Sequence, residues 1–122
     1  MIEKFTPTHE WIQITDDEAV IGITHHAVKE LGIIVFVELP KVGHILRVGQ
    51  EASVVESTKA AVDICSPLTG KVIAVNQELI NNVSLLNQHP EKEGWMYKIK
   101  ISEYEEVHNL LDKLSYQQMI GS

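Results

Sequence analysis

Gly49-Gln50-Glu51-Ala52-Ser53-Val54-Val55-Glu56-Ser57-Thr58-Lys59-Ala60-Ala61-Val62-Asp63-Ile64-Cys65-Ser66-Pro67-Leu68-Thr69-Gly70 is the stretch that decides the fold. Ser53 to Glu56 reads as a strand and Ala60 to Ile64 as a second one, because short apolar, β-branched runs fit a pleated surface. Ser66 to Gly70 is a turn, and Lys71 to Asn76 is a further strand. Gly49 and Gly70 straddle Lys59 almost symmetrically, which places the lysine at or near a hairpin tip. A tip of this kind is exposed and carries little of the core, so it suits a group that other proteins must handle.

Outward from the lysine the chain keeps a strand-and-turn rhythm. Trp11-Ile12-Gln13-Ile14 and Ala19 to Ile23 flank the turn Asp16-Asp17 and read as a hairpin. Thr24 suits the N-cap of a short helix, His25 to Leu31, and Gly32 suits the position just past its end. Ile33 to Leu39 has the composition of a buried strand stopped by Pro40. Gln77 to Glu93 is the longest irregular stretch, with Leu79, Ile80, Val83, Leu85 and Leu86 to hold it on the body. From Trp95 to Ile101, Trp95, Tyr97, Ile99 and Ile101 share one face and Met96, Lys98 and Lys100 the other. Ser102 and Glu105 have capping-box spacing ahead of Tyr104, Val107, Leu110, Leu111 and Leu114, which predicts a C-terminal helix over about 103–114. Residues 1–122 are expected to form a single, mainly β domain with that helix packed on it.

Composition narrows the functions. The chain has 122 residues, 44% hydrophobic and 22% charged, values typical of a soluble globular fold. Ten Lys and Arg against seventeen Asp and Glu give a formal charge of −7. Phosphate binding rests on clustered cations, so neither nucleic acid nor an anionic membrane is an expected partner. Cys65 is the sole cysteine, which excludes an intrachain disulfide and a thiolate metal cluster. The amino terminus lacks the pattern of a signal peptide and no apolar run approaches membrane-spanning length, so a cytoplasmic location is expected.

Signatures of catalysis are missing: the sequence contains no G-x-S-x-G, H-E-x-x-H, Walker A or G-x-G-x-x-G run. His25 and His26 are adjacent on a helix and diverge, so that pair is not a metal site. His9 and Glu10 diverge in the same way along a strand, and Cys65 reads as a buried filler. Taken alone, a lysine at a turn is nearly always a solvated charge. The setting of Lys59 argues otherwise: Thr58, Ala60 and Ala61 leave its amine unobstructed. Acylation would turn its side chain into a neutral spacer.

With those residues in view, the sequence resembles the glycine cleavage system H protein family, within the wider lipoyl-domain superfamily. The likeness is carried by Thr8-His9-Glu10-Trp11, Ile21-Gly22-Ile23-Thr24, Leu31-Gly32, Ile34 to Pro40, and Val54 to Ala61. Ser66-Pro67, Gly70-Lys71-Val72 and Gly94-Trp95-Met96 continue it. The resemblance implies a barrel-sandwich hybrid of small β-sheets with lipoate in amide linkage on Lys59. It implies a non-catalytic shuttle of one-carbon metabolism and glycine catabolism, whose swinging arm carries an aminomethyl group. The partners it implies are glycine decarboxylase with pyridoxal phosphate, an aminomethyltransferase using tetrahydrofolate, and dihydrolipoyl dehydrogenase with FAD. A lipoate ligase or a lipoyl/octanoyl transferase would load the arm. The family's cleft for the loaded arm maps onto Thr8, Glu10 and Asp63, with Glu10 facing the cationic amine.

The sequence departs from the family pattern in four places: Ile33 in place of an acidic residue, Pro90-Glu91-Lys92-Glu93 in place of the usual Pro-Tyr-Gly start of the segment entering Gly94-Trp95, Val83 at a common proline site, and His26 at a position often aromatic or His. These fall on surface that frames the cleft or docks partners. The alternatives are a lipoylated protein acting as lipoate donor or redox arm for other enzymes, and an unmodified β interaction module. A biotin carrier fits poorly, since biotin domains favour methionines beside the lysine.

Overall fold

The computed structural model describes residues 1–121. Its nine strands are β1 (Ile2–Phe5), β2 (Glu10–Thr15), β3 (Glu18–Ile23), β4 (Ile34–Glu38), β5 (Ile45–Leu46), β6 (Glu51–Ser57), β7 (Ala61–Cys65), β8 (Gly70–Val75) and β9 (Tyr97–Ile101). They form two antiparallel sheets, one of six strands in the order β1-β2-β3-β9-β8-β5 and one of three in the order β4-β6-β7. The mainly β, sandwich-like expectation therefore holds, with two open sheets in place of a closed barrel.

Alternation along the strands builds the core between those sheets. Ile12, Ile14, Ile21 and Ile99 from the large sheet meet Ile34, Val37, Val55 and Ile64 from the small one in one buried cluster. The β2–β3 hairpin registers Trp11 with Gly22. A Cβ at Gly22 would stand 2.7 Å from the indole atoms, so only glycine lets the ring lie flat on the strand. Trp11 Nε1 then donates to the Pro90 carbonyl at 2.9 Å, meeting its one polar need inside the core.

The short helix α1 (His25–Leu31) has the predicted ends. Thr24 caps it by accepting from the Ala27 amide, and Gly32 follows at φ 84°. Two further helices, α2 (Glu78–Asn81) and α3 (Ser84–Gln88), occupy what the sequence suggested was irregular. Each is a single turn whose apolar residue, Leu79 or Leu86, is fully buried, so packing makes them and propensity does not.

Three expectations need correction. Residues 103–114 are not one helix: a 3-10 turn spans Tyr104–Asn109, and the α-helix α4 runs Lys113–Ile120 with Asp112 as its N-cap. Leu111 breaks the helix because its N–H and C=O pair with those of Phe5 on β1, each at 2.8 Å. The capping box is absent; instead the Glu106 carboxylate accepts from the amide and hydroxyl of Thr69. The Ile33–Leu39 run is not buried on both faces, since Ile34 and Val37 face the core while Val35 and Phe36 are about half exposed. β4 is an edge strand of its sheet, and an irregularity between Ile34 and Phe36 turns two successive residues, Val35 and Phe36, outward. Met96, assigned to the polar face with the lysines, is fully buried, because it precedes β9 and points inward before the alternation begins.

Candidate functional site

Lys59 sits in the turn between β6 and β7, exposed as expected. Ser57 shapes that turn: its amide donates to the Ala60 carbonyl at 2.8 Å, and its hydroxyl accepts from the amides of Lys59 and Ala60, both at 3.1 Å. The Thr58 amide donates to the Ile33 carbonyl at 3.0 Å, which ties the tip to the end of α1. Ile33, one of the departures from the family pattern, thus abuts the lysine's own turn. Its side chain is exposed beside the tip.

The lysine side chain lies back over Gly32. A Cβ there would meet Lys59 Cε at 3.2 Å, so the glycine serves both a positive φ and the passage of the stem. Nζ donates to the Glu30 carbonyl at 3.0 Å, one of the free carbonyls at the C-terminal end of α1, where the helix dipole favours a cation. Asn87 braces the same junction, accepting from the Ile34 amide and donating to the Gly32 carbonyl, both at 2.9 Å.

Beside this junction opens a cleft of about 800 Å³, and Thr8, Glu10 and Asp63 all line it. Thr6, which the sequence reading missed, belongs with them. Glu10 is 3% exposed, and its Oε1 accepts from the hydroxyls of Thr6 at 2.7 Å and Thr8 at 2.8 Å. Burial pushes the Glu10 carboxyl above its ordinary value, and the two hydroxyl bonds only partly offset this. Burial thus disfavours the charged form of Glu10, a cost that a cation placed in the cleft would offset. Asp63 stands exposed on β7, and Leu31, Val62 and Ile64 supply apolar wall.

Cys65 also lines the cleft and is only half-buried, so it is not the buried filler expected. Burial and the nearby charges of Glu10, Asp63 and Glu51 push its thiol pKa up, which favours the thiol over the thiolate. Glu91 has a local duty: Oε2 accepts from the His25 amide at 2.9 Å, placing a carboxylate at the N-terminus of α1.

A lysine displayed on a hairpin tip, beside a cleft with a buried carboxylate at its base, defines the class: a β-sandwich carrier that presents a group for other proteins to work on. The chain belongs to the glycine cleavage H-protein family, whose model matches residues 3–122. It is 44% identical to the glycine cleavage system H protein of Thermotoga maritima, over 96% of this chain and 94% of the relative. Identity to the protein of that name from Nitratidesulfovibrio vulgaris is 49%, over 98% and 92%. The crystal structure of a glycine cleavage system H protein from Mycobacterium marinum superposes with a TM-score of 0.91 at 32% identity, covering 98% of this chain and 97% of that one. Members of this family are lipoyl-bearing shuttles of glycine cleavage and act as carriers, not catalysts. Among the described residues no helix is long and apolar enough to cross a membrane.

Proposed function

We propose that Lys59 is the residue that carries lipoate, in amide linkage on Nζ, and that the cleft based on Glu10 receives the working end of the arm. One observation carries the reading: Lys59 is exposed at the tip, its stem passes over Gly32, and its amine rests on Glu30, a residue of the cleft wall. When bound, lipoate supplies a dithiolane that opens to take up an aminomethyl group and is later reoxidised. The chain's own residues do the rest. The Glu10 carboxylate, oriented by Thr6 and Thr8, offers an incoming ammonium a partner in a site poor in water. Asp63 adds negative potential at the rim, and Leu31, Val62 and Ile64 limit solvent access.

A tethered group meets each enzyme at high effective concentration, so a carrier without a catalytic centre gains rate from its tether. The enzymes it visits in this reading are glycine decarboxylase, aminomethyltransferase and dihydrolipoyl dehydrogenase, in the cytoplasm. A lipoate ligase or a lipoyl/octanoyl transferase loads it. Intact-mass measurement on protein from lipoate-competent cells tests the attachment: wild type gains the lipoyl mass and Lys59→Ala does not. Absence of that mass on wild type removes the proposal. Exchange of labelled bicarbonate into glycine, with glycine decarboxylase and the lipoylated chain, tests the cargo. Full lipoylation without exchange would move the chain to the role of lipoate donor or redox arm.

A further inference from the structure

Three side chains from distant parts of the sequence converge at the rim of the cleft. His26 and Glu30 are one helical turn apart on α1 and share a face, with His26 Nε2 3.3 Å from Glu30 Oε1. His9 arrives from the loop before β2, its Nε2 3.9 Å from the same oxygen. The two imidazole rings lie 4.5 Å apart between centroids, and one ligand atom from each of the three residues falls within 4.8 Å of the others. We propose that His9, His26 and Glu30 form a binding site for a divalent transition metal of the zinc class.

The donor set selects the metal. Two imidazole nitrogens and one carboxylate oxygen suit zinc and its neighbours, whereas magnesium and calcium take oxygen ligands. Zinc bonds to nitrogen and oxygen of ~2.0–2.2 Å place tetrahedral ligand atoms roughly 3.4 Å apart. The two distances to Glu30 Oε1, 3.9 Å from His9 and 3.3 Å from His26, stand near that separation, and rotation of the exposed Glu30 and the partly exposed imidazoles would close the remaining gap within the 4.8 Å cluster. Three protein ligands leave the fourth position to water, and His9 and Glu30 both belong to the cleft wall.

The outer partners of His9 are those expected of a ligand. Nδ1 is 2.8 Å from the Tyr116 hydroxyl, which is 2.8 Å from Thr24 Oγ1; with the proton on Nδ1 and donated to Tyr116, Nε2 presents its lone pair to a metal. His9 keeps that position in a left-handed conformation, φ 74°, which a residue with a Cβ adopts only when its surroundings over-determine it. Its amide donates to the Thr6 carbonyl and its carbonyl accepts from the Thr24 amide. The metal would therefore join three segments: the 6–9 loop, α1 and, through Tyr116, α4.

Titration of the unlipoylated full-length chain with zinc chloride by calorimetry tests the site, with cobalt(II) absorption reporting coordination geometry. The expected result is one zinc per chain in the micromolar range or tighter, with no competition from magnesium. His26→Ala and Glu30→Ala should each weaken binding at least tenfold, and Tyr116→Phe about tenfold through loss of the outer hydrogen bond. His25→Ala, one residue away and pointing elsewhere, should bind as wild type does. Absence of stoichiometric binding, or wild-type affinity in His26→Ala, overturns the proposal and leaves His26–Glu30 a surface ion pair and His9 a partner of Tyr116 alone.

Discussion

Lys59 Nζ donates to the carbonyl oxygen of Glu30 across 3.0 Å, linking the tip of the β6–β7 hairpin to the last turn of α1. The free amine is thus parked on a helix end of favourable polarity. An acyl group on Nζ removes the charge that makes this seat favourable and leaves a single N–H, so modification weakens the hold of α1 on the side chain. The same contact holds the amine beside Gly32 and Ile33.

Lys59→Ala should leave the fold untouched. The side chain is exposed and its one hydrogen bond lies at the surface, so stability should change by no more than about 0.5 kcal/mol. Urea denaturation of both proteins checks this. A larger loss would assign the lysine a structural role and spoil it as a control for lipoylation.

Gly32→Ala should cost about 1–3 kcal/mol, because its φ of 84° is strained for any residue with a Cβ. The new methyl also meets Lys59 Cε, so the lysine stem must leave its path. Denaturation measures the first effect. The second appears as loss of the Lys59–Glu30 contact in the amide shifts of α1.

Asn87→Ala removes two bonds that no other side chain replaces, stranding the Ile34 amide and the Gly32 carbonyl. A loss of about 1–3 kcal/mol follows from leaving such groups unpaired. Hydrogen exchange localises it: the Ile34 amide should exchange faster, while the β2–β3 hairpin amides keep their protection. Uniform acceleration across both sheets would refute a local brace.

Glu10 sets a pH dependence of definite sign. Its carboxyl pKa is raised in the folded protein, chiefly by burial, so the stability linked to it is complete below the ordinary glutamate value of 4.5. That contribution is lost as pH rises through the higher folded value. Glu10→Gln keeps an acceptor for both threonine hydroxyls and cannot ionise. The difference in Tm between Glu10→Gln and wild type should therefore move in the variant's favour between pH 4.5 and neutrality. Calorimetric scans across that range decide it; the opposite trend would mean that the site stabilises the carboxylate even without a bound cation.

Some of the structure was legible without coordinates because it is encoded over a few residues. The Lys59 tip, the Asp16-Asp17 hairpin, the Thr24 cap and the Gly32 stop all depend on turn geometry and neighbouring hydrogen bonds. Local spacing also predicted the inward positions Tyr97, Ile99 and Ile101. Residue types at quoted positions carried the family likeness, and with it the cleft residues Thr8, Glu10 and Asp63.

The remainder depended on which segments meet, and strand and helix periodicity contain no such information. Leu111 was lost to the helix because Phe5, from the other end of the chain, claimed its backbone groups. Phe36 and Val35 stayed exposed because β4 is an edge strand, although their composition reads as core. His26 and Glu30 share a face for local reasons, but His9 reaches them only because the β2 loop, α1 and α4 pack together. Sequence by itself determined that Lys59 stands on an exposed turn between small residues, since a turn and its flanking residues are local properties. Tertiary structure alone decided what the lysine side chain rests on and which side chains line the cleft beside it, since burial and convergence arise only when distant segments exclude water together.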